Sequence, residues 1–292
     1  MYIATVIPIK KGLHMEHLTY FSIHDIPLGS IVTVQVRSKS IDAIVISLED
    51  AHKVKSDLKQ ADYQLKKVLA VKGSSPFSKE FFDACYRMKD YTASTTGDVI
   101  RSMLPKILLE CVQDLKIHRS IEIKTKQENI EHEKLIFQAL TPDRVSWYRT
   151  LIREAFAKKE SVFICVPTRY DIEIYTKELT KGIEQYVATF HGDMTKKALV
   201  TLYNSVIDNP HPLLIIGTGM FLSIPRHDIK TIIVEHESSD AYKQIARPYI
   251  DVRSFAEVFS SITKSKLIFG DTLLRPDTLH RHEKGILGEV SS

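Results

Sequence analysis

The chain has 292 residues, 26% of them charged and 43% hydrophobic, with a formal net charge of +4 at pH 7. That is globular composition, long enough for two ordinary domains, and it excludes a disordered or fibrous polypeptide. No apolar run nears the ~18 residues that span a bilayer, and Met1–Lys11 lacks the pattern of a secretion signal.

Cys85, Cys111 and Cys165 form no CxxC pair, so a cytoplasmic protein without disulfides or a bound metal is expected. The charge is uneven. Residues 1–126 hold 19 Lys and Arg against 14 Asp and Glu, whereas the remainder holds 21 against 22. The basic excess therefore lies in the first part, where a polyanion would dock, although many domains carry such an excess without touching nucleic acid.

In chain order, residues 1–50 read as short strands separated by turns. Met1–Ile9 is an apolar run, Thr19–Ile23 follows, and Ile31–Val36 alternates with the period of two that marks a half-buried strand. Ile41–Leu48 completes a pattern that suits a small β-barrel or sandwich. Residues 49–64 are charged and predict a solvated connection, with a short strand at Lys66–Val71. Phe81, Phe82, Cys85, Met88 and Tyr91 then recur at helical spacing behind the capping residue Ser78. Thr95-Thr96-Gly97-Asp98 breaks that helix, and Val99–Met103 forms a second short one. The polar stretch 114–134 is the expected linker, placing one domain at 1–113.

Beyond it, strands and helices alternate, as in a parallel sheet with crossover helices. The expected strands are Leu135–Leu140, Val162–Val166, Tyr186–Phe190, Leu213–Gly217, Thr231–Val234 and Lys266–Phe269, uninterrupted in the way of strands buried on both faces. Expected helices include Ser146–Lys158, Tyr170–Lys181 and Thr195–Ile207. One α/β lobe at 135–279 and a poorly ordered tail at 280–292 complete the reading. The fold class is α/β overall, with a mainly-β domain ahead of the lobe.

Two stretches carry a family likeness. Tyr91–Ile100 with Leu104-Pro105 resembles the signature that closes the 3′-end-binding domain of the PriA (primosomal protein N′) replication-restart helicases. Leu18-Thr19-Tyr20 stands where that family has Phe-Asp-Tyr, and Lys66 falls on a family lysine. In the second part, Ile232–Gln244 resembles the family's IIVDEEHDSSYKQ, and Val166-Pro167-Thr168, His191-Gly192 and Ile216-Gly217-Thr218 follow in the family's order. The resemblance implies a RecA-like lobe behind a DNA-binding domain that holds the terminal nucleotide of a 3′ end.

The departures bear on activity. A phosphate-binding loop needs glycines for close backbone approach, a Lys for the terminal phosphates and a Ser or Thr for magnesium. After Leu140 the chain instead offers Thr141-Pro142-Asp143-Arg144-Val145-Ser146-Trp147-Tyr148. Asp143 repels phosphate, and Arg144 supplies charge without a nest of backbone N–H groups. Glu235 replaces the Asp that orients magnesium, and His236 replaces the Glu that positions the attacking water. Thr141, Asp143, Arg144, Glu235, His236 and Glu237 thus form a degenerate nucleotide site. No catalytic residue, cofactor or metal is expected. Strand alternation lets Glu235 and Glu237 share a face that excludes His236.

The candidate DNA contacts are Thr19, Tyr20, Arg37, Lys39, Lys66, Lys67 and Lys243. Leu18 cannot stack on a base, and Thr19 offers one hydrogen bond where the family aspartate offers two. Tyr20, Tyr91, Gly97 and Asp98 also fit structural roles, with Gly97 in a turn and Asp98 as a helix cap. The expected function is DNA binding at 3′ ends, forks or single strands in replication restart, alongside replication or primosome proteins and without ATP hydrolysis. The front half of a split ATP-dependent helicase and a protein-interaction module that has lost DNA are the alternatives.

Overall fold

The computed structural model describes residues 1–51, 65–116 and 132–290. The connection expected at 49–64 and the linker expected at 114–134 fall largely outside those residues. Six strands build the first sheet: β1 (Tyr2–Pro8), β2 (Leu18–Ser22), β3 (Ser30–Val36), β4 (Lys39–Asp50), β5 (Lys66–Lys67) and β6 (Ala70–Ser74). Their order is β5-β2-β1-β4-β3-β6, and every pairing is antiparallel except β2 with β5.

The strand expected at 66–71 is two strands, because the backbone changes partner between adjacent residues. Val68 N–H donates to Phe21 O at 2.9 Å, and Leu69 N–H to Thr33 O at 2.9 Å. Those acceptors lie on β2 and β3, so the chain crosses from one side of the sheet to the other. The result is a curled half-barrel whose edge strands β5 and β6 do not pair with each other. Alternation decides its two faces. Ala4, Val6, Tyr20, Val32, Val34, Ala43 and Val45 fill one side, while Ile7, Ile31 and Ile44 face the helices that follow.

Those helices are α1 (Lys79–Tyr91), α2 (Thr96–Met103) and the short α3 (Lys106–Glu110). Ser78 caps α1 as expected, its hydroxyl accepting from Phe81 N–H at 3.2 Å. A capping box opens α2: Thr95 Oγ1 accepts from Asp98 N–H at 3.1 Å, and Asp98 Oδ2 accepts from Thr95 N–H at 3.2 Å. Gly97 is not a turn residue but lies in the first turn of α2. A Cβ there would stand 1.9 Å from Pro8 O, so only glycine lets the helix approach the end of β1.

The second sheet comprises β7 (Lys134–Gln138), β8 (Ser161–Cys165), β9 (Val187–Phe190), β10 (Leu214–Gly217), β11 (Ile229–Glu235), β12 (Lys266–Asp271) and β13 (Gly288–Glu289). Its order is β13-β7-β12-β11-β8-β10-β9, and all pairings are parallel. Helices α4 (Thr141–Ala157) and α5 (Arg169–Leu179) cover one face, and α6 (Lys196–Asp208) and α7 (Val252–Thr263) the other. This is a RecA-like α/β lobe. Cys85, Cys111 and Cys165 are free and buried, and burial pushes the Cys165 thiol up to about 12.

Two expectations need correction. Helix α4 begins at Thr141, not Ser146, because Pro142 sits in its first turn, where a missing N–H costs nothing. The expected tail is ordered to Val290: α8 (Pro276–Glu283) leads into β13, which pairs with β7. Leu287 and Val290 are both buried, and Val290 N–H donates to Ile136 O at 3.0 Å.

The two domains share one apolar core. Helix α1 lies against α7, with the Phe81 ring 5.5 Å from Phe255 and 6.5 Å from Phe259. Tyr203 on α6 donates to Pro76 O at 2.7 Å, and the Asn204 amide bridges Asp114 O and Lys116 N–H at 2.9 and 2.8 Å. Phe81→Ala is expected to cost about 3–5 kcal/mol and to leave a single unfolding transition by calorimetry. Two resolved transitions would show that the domains do not melt together.

Candidate nucleotide site and nucleic-acid surface

Strands β7, β11 and β12 end side by side, the position at which a parallel sheet presents ligands. Only Ala139 and Leu140 separate β7 from α4, so no phosphate-cradling loop fits between them. The helix enters without a side-chain cap, and Asp143 in its first turn is exposed. The next residue, Arg144, is 0% exposed, as is Glu235 at the end of β11.

These two residues form a buried ion pair. Arg144 Nε donates to Glu235 Oε1 at 2.9 Å, and Nη2 donates to the same oxygen. Nη1 donates to Ala139 O and, at 3.1 Å, to Thr272 Oγ1, while Nη2 also reaches Thr141 Oγ1 at 3.4 Å. All five guanidinium N–H donors are therefore used. Glu235 is equally occupied: the Tyr148 hydroxyl donates to Oε2 at 2.5 Å and the Tyr175 hydroxyl to Oε1.

Burial by itself would lower the Arg144 pKa, but the bond to Glu235 and its charge reverse this, so Arg144 stays charged. Burial, then the neighbouring Glu235, holds both tyrosines protonated well above their ordinary range. Gly270 on β12 makes room for the group, since a Cβ there would lie 2.1 Å from the Tyr148 hydroxyl.

His236 leaves the strand with φ +54° and keeps a third of its side chain exposed. Its Nε2 lies 3.8 Å from Asp171 Oδ1 and 3.4 Å from the Tyr175 hydroxyl. Glu237 is buried but serves α8: Oε1 accepts from Arg275 Nε at 2.7 Å and Thr278 Oγ1 at 2.6 Å, and Oε2 from Arg275 N–H at 3.0 Å. Glu235 and Glu237 thus hold different partners. Among the described residues, no group of three or more His, Cys, Asp or Glu side chains is placed to hold a metal ion.

The candidate DNA residues divide into three sets. Arg37, Lys39, Lys66 and Lys67 are exposed on the half-barrel, where Lys66 Nζ lies 3.5 Å from Arg37 O. β5 lies beside β2, opposite Tyr20 and Phe21, and Thr19 is half-buried there. Tyr20 belongs to the barrel core: it is 4% exposed and its hydroxyl donates to Gln35 O at 3.0 Å. Lys243 is exposed on the lobe, separate from the half-barrel set, with Asp240 at 3.8 Å. No helix among the described residues is long and apolar enough to cross a membrane.

A family model described as the 3′DNA-binding domain (3′BD) of PriA matches residues 6–105. The first domain is therefore similar to the PriA 3′DNA-binding domain. Among curated relatives, the replication restart protein PriA of Rickettsia conorii is 20% identical over 96% of this chain and 44% of its own length. The protein of the same name from Rickettsia prowazekii is 22% identical over 90% of this chain and 41% of its own. The chain thus spans less than half the length of these PriA relatives. Among solved structures, the C-terminal domain of the DEAD-box protein Dbp5 overlaps 56% of this chain and 91% of its own length, at 12% identity and a TM-score of 0.39.

Within the PriA likeness, several side chains of the buried cluster escape a motif reading. Tyr148 had a signal, since it follows Arg144 by four residues and so shares its helix face. Tyr175 and Thr272 had none, because only the packing of α5 and β12 brings them in. Removing Arg144 strands a buried carboxylate, so Arg144→Ala should cost about 3–5 kcal/mol. The apolar double change Arg144→Met with Glu235→Leu should cost less, as denaturant melts will show.

The tyrosine shifts carry a sign. Each folded-state pKa is raised, so the stabilisation is complete below the ordinary value of about 10 and is lost as pH climbs beyond it. The urea midpoint should hold steady from neutral pH to about 10 and then fall. Tyr148→Phe should soften that fall; an identical alkaline profile in the variant would contradict the assignment.

Proposed function

We propose that the chain is a non-catalytic, PriA-like DNA-binding protein of replication restart or repair, one that holds 3′-ended or branched DNA without hydrolysing ATP. The observation that carries the non-catalytic half is the Arg144–Glu235 pair. In a working site, the base of the phosphate loop and the end of the acidic strand face a nucleotide and its magnesium ion. Here those two positions are bound to each other, with every guanidinium donor satisfied internally. A triphosphate would have to break that pair and leave both charges to be compensated anew.

The DNA-binding half is supported by the 3′BD match and by the charge of the half-barrel surface. Among the described residues, Arg37, Lys39, Lys66 and Lys67 have no carboxylate partner, so their charge is available to phosphate. Thr19 is close by on β2 and could meet a base through one hydrogen bond. Primosome or replication proteins are the partners that fit this reading, and the cytoplasm is its compartment.

The test is a titration of forked and single-stranded DNA at two salt concentrations, with ATP turnover assayed in parallel. Affinity should drop steeply with salt. The double change Lys66→Ala with Lys67→Ala should reduce the salt slope by about 0.7 for each single-strand phosphate that is no longer neutralised. Magnesium ATP should not be turned over, with or without DNA. DNA-stimulated hydrolysis would overturn the non-catalytic half, and absence of DNA binding at micromolar protein would overturn the other.

A further inference from the structure

A groove of about 740 Å³ runs along the junction between the half-barrel domain and the α/β lobe. Lys10, Lys11, Arg101 and Ser102 line it from the first domain, and Lys243 and Gln244 from the second. Four cations thus face one space, and no acidic residue lines it. Among the described residues, Lys10, Lys11 and Arg101 have no carboxylate partner, and the partner of Lys243, Asp240, is itself 96% exposed. Burial, then the nearby Arg101 charge, depresses the Lys11 pKa against the opposing charge of Asp98.

Two polar atoms in the same groove are buried and unpaired: Ser102 Oγ and Gln244 Oε1. Ser102 is only 3% exposed, and the Gln244 amide is anchored across the junction, its Nε2 donating to Ser102 O at 3.0 Å. An unpaired buried polar atom forfeits the hydrogen bond it would make in water. A phosphate oxygen can accept from the serine hydroxyl, and a sugar or base N–H or O–H can donate to the glutamine carbonyl. Beside them Ile245, 96% exposed, offers an apolar surface against which a sugar or an unstacked base can rest.

We propose that this groove is a second nucleic-acid track, gripping the sugar-phosphate backbone of a strand at a place remote from its 3′ terminus. The proposal rests on the DNA-binding reading above and adds a contact that does not depend on a strand end. Clustered cations in a groove lined by no acidic residue match a phosphodiester chain, whose charges repeat along its length.

The experiment uses the full chain and two fluorescent single-stranded oligonucleotides, identical except that one carries a 3′-phosphate in place of the free hydroxyl. The variants are Lys10→Gln/Lys11→Gln/Arg101→Gln, the conservative Lys10→Arg/Lys11→Arg, and Lys243→Gln on the opposite wall. The triple variant should lose roughly tenfold affinity or more for both oligonucleotides, and its salt slope should shrink by about 2, the equivalent of three phosphates. Its preference for the free 3′ end should remain. Lys243→Gln should act in the same direction by a smaller factor, and the conservative variant should bind as the parent does.

Parent-like affinity and slope in both the triple variant and Lys243→Gln overturn the groove while leaving 3′-end binding intact. Loss of affinity in the triple variant, with no end preference in the parent chain, upholds the groove and overturns the 3′-end reading. Failure of the parent to bind either oligonucleotide overturns both. Poly-glutamate displacing the oligonucleotide as well as unlabelled DNA of equal charge would replace the nucleic acid with an acidic peptide.

Discussion

The arrangement of the α/β lobe depends on one buried ion pair. Taking a guanidinium and a carboxylate out of water costs several kcal/mol for each ion, and mutual attraction alone seldom offsets it. The pair is tenable because its remaining hydrogen-bonding capacity is met by Tyr148, Tyr175, Thr272, Thr141 and the Ala139 carbonyl. Those partners come from α4, α5, the residue that follows β12 and the β7–α4 connection, so a single pair fixes where four pieces of chain meet. Gly270 is part of the same constraint, since any side chain there would occupy the volume of the Tyr148 hydroxyl.

A second constraint joins the lobe to the half-barrel. The α1–α7 contact buries Phe81, Phe255 and Phe259 in a core that extends from β1, β3 and β4 into the parallel sheet. Neither domain presents that face to water, and the polar bridges from Tyr203, Asn204 and Gln244 set the register between them. A surface assembled from both domains therefore has a fixed shape. The junction groove inherits this: its cations come from separate domains, yet the packing beneath holds them opposite one another without any ligand.

Much of this was legible in the residues. Alternation in Ile31–Val36 and the uninterrupted apolar runs of the second half marked strands of two kinds, and the structure has both. The Ser78 cap follows from local chemistry, whereas Asp98, read as a cap, is the N3 member of a box whose N-cap is Thr95. What escaped depended on partners distant in sequence. Nothing in Lys66–Val71 shows that its first half pairs with β2 and its second with β3. Leu287 and Val290 are too sparse to announce a strand, and gain meaning only because β7 offers a free edge. Arg144 reads as a stray charge in a broken loop, because its acceptor is 91 residues away. Tyr20 reads both as a DNA contact and as packing, and its position on β2 places it in the barrel core.

The distribution of satisfied and unsatisfied groups separates the two sites. A nucleotide site that had only lost its ligand would leave charges facing one another across an unfilled gap. At the ends of β7, β11 and β12 the opposite holds: Arg144 and Glu235 neutralise each other, Glu237 fastens α8, and Asp271 accepts from the N–H groups of Ser238 and Thr272. Hydrogen bonds from these N–H groups overcome the effect of burial and keep the Asp271 pKa below the usual carboxylate range. At that end of the sheet these charged side chains are paired with one another or with backbone N–H groups. The junction groove differs, with four cations and no acidic residue in its lining and two buried polar atoms unmatched. Binding free energy is available where such groups still lack partners.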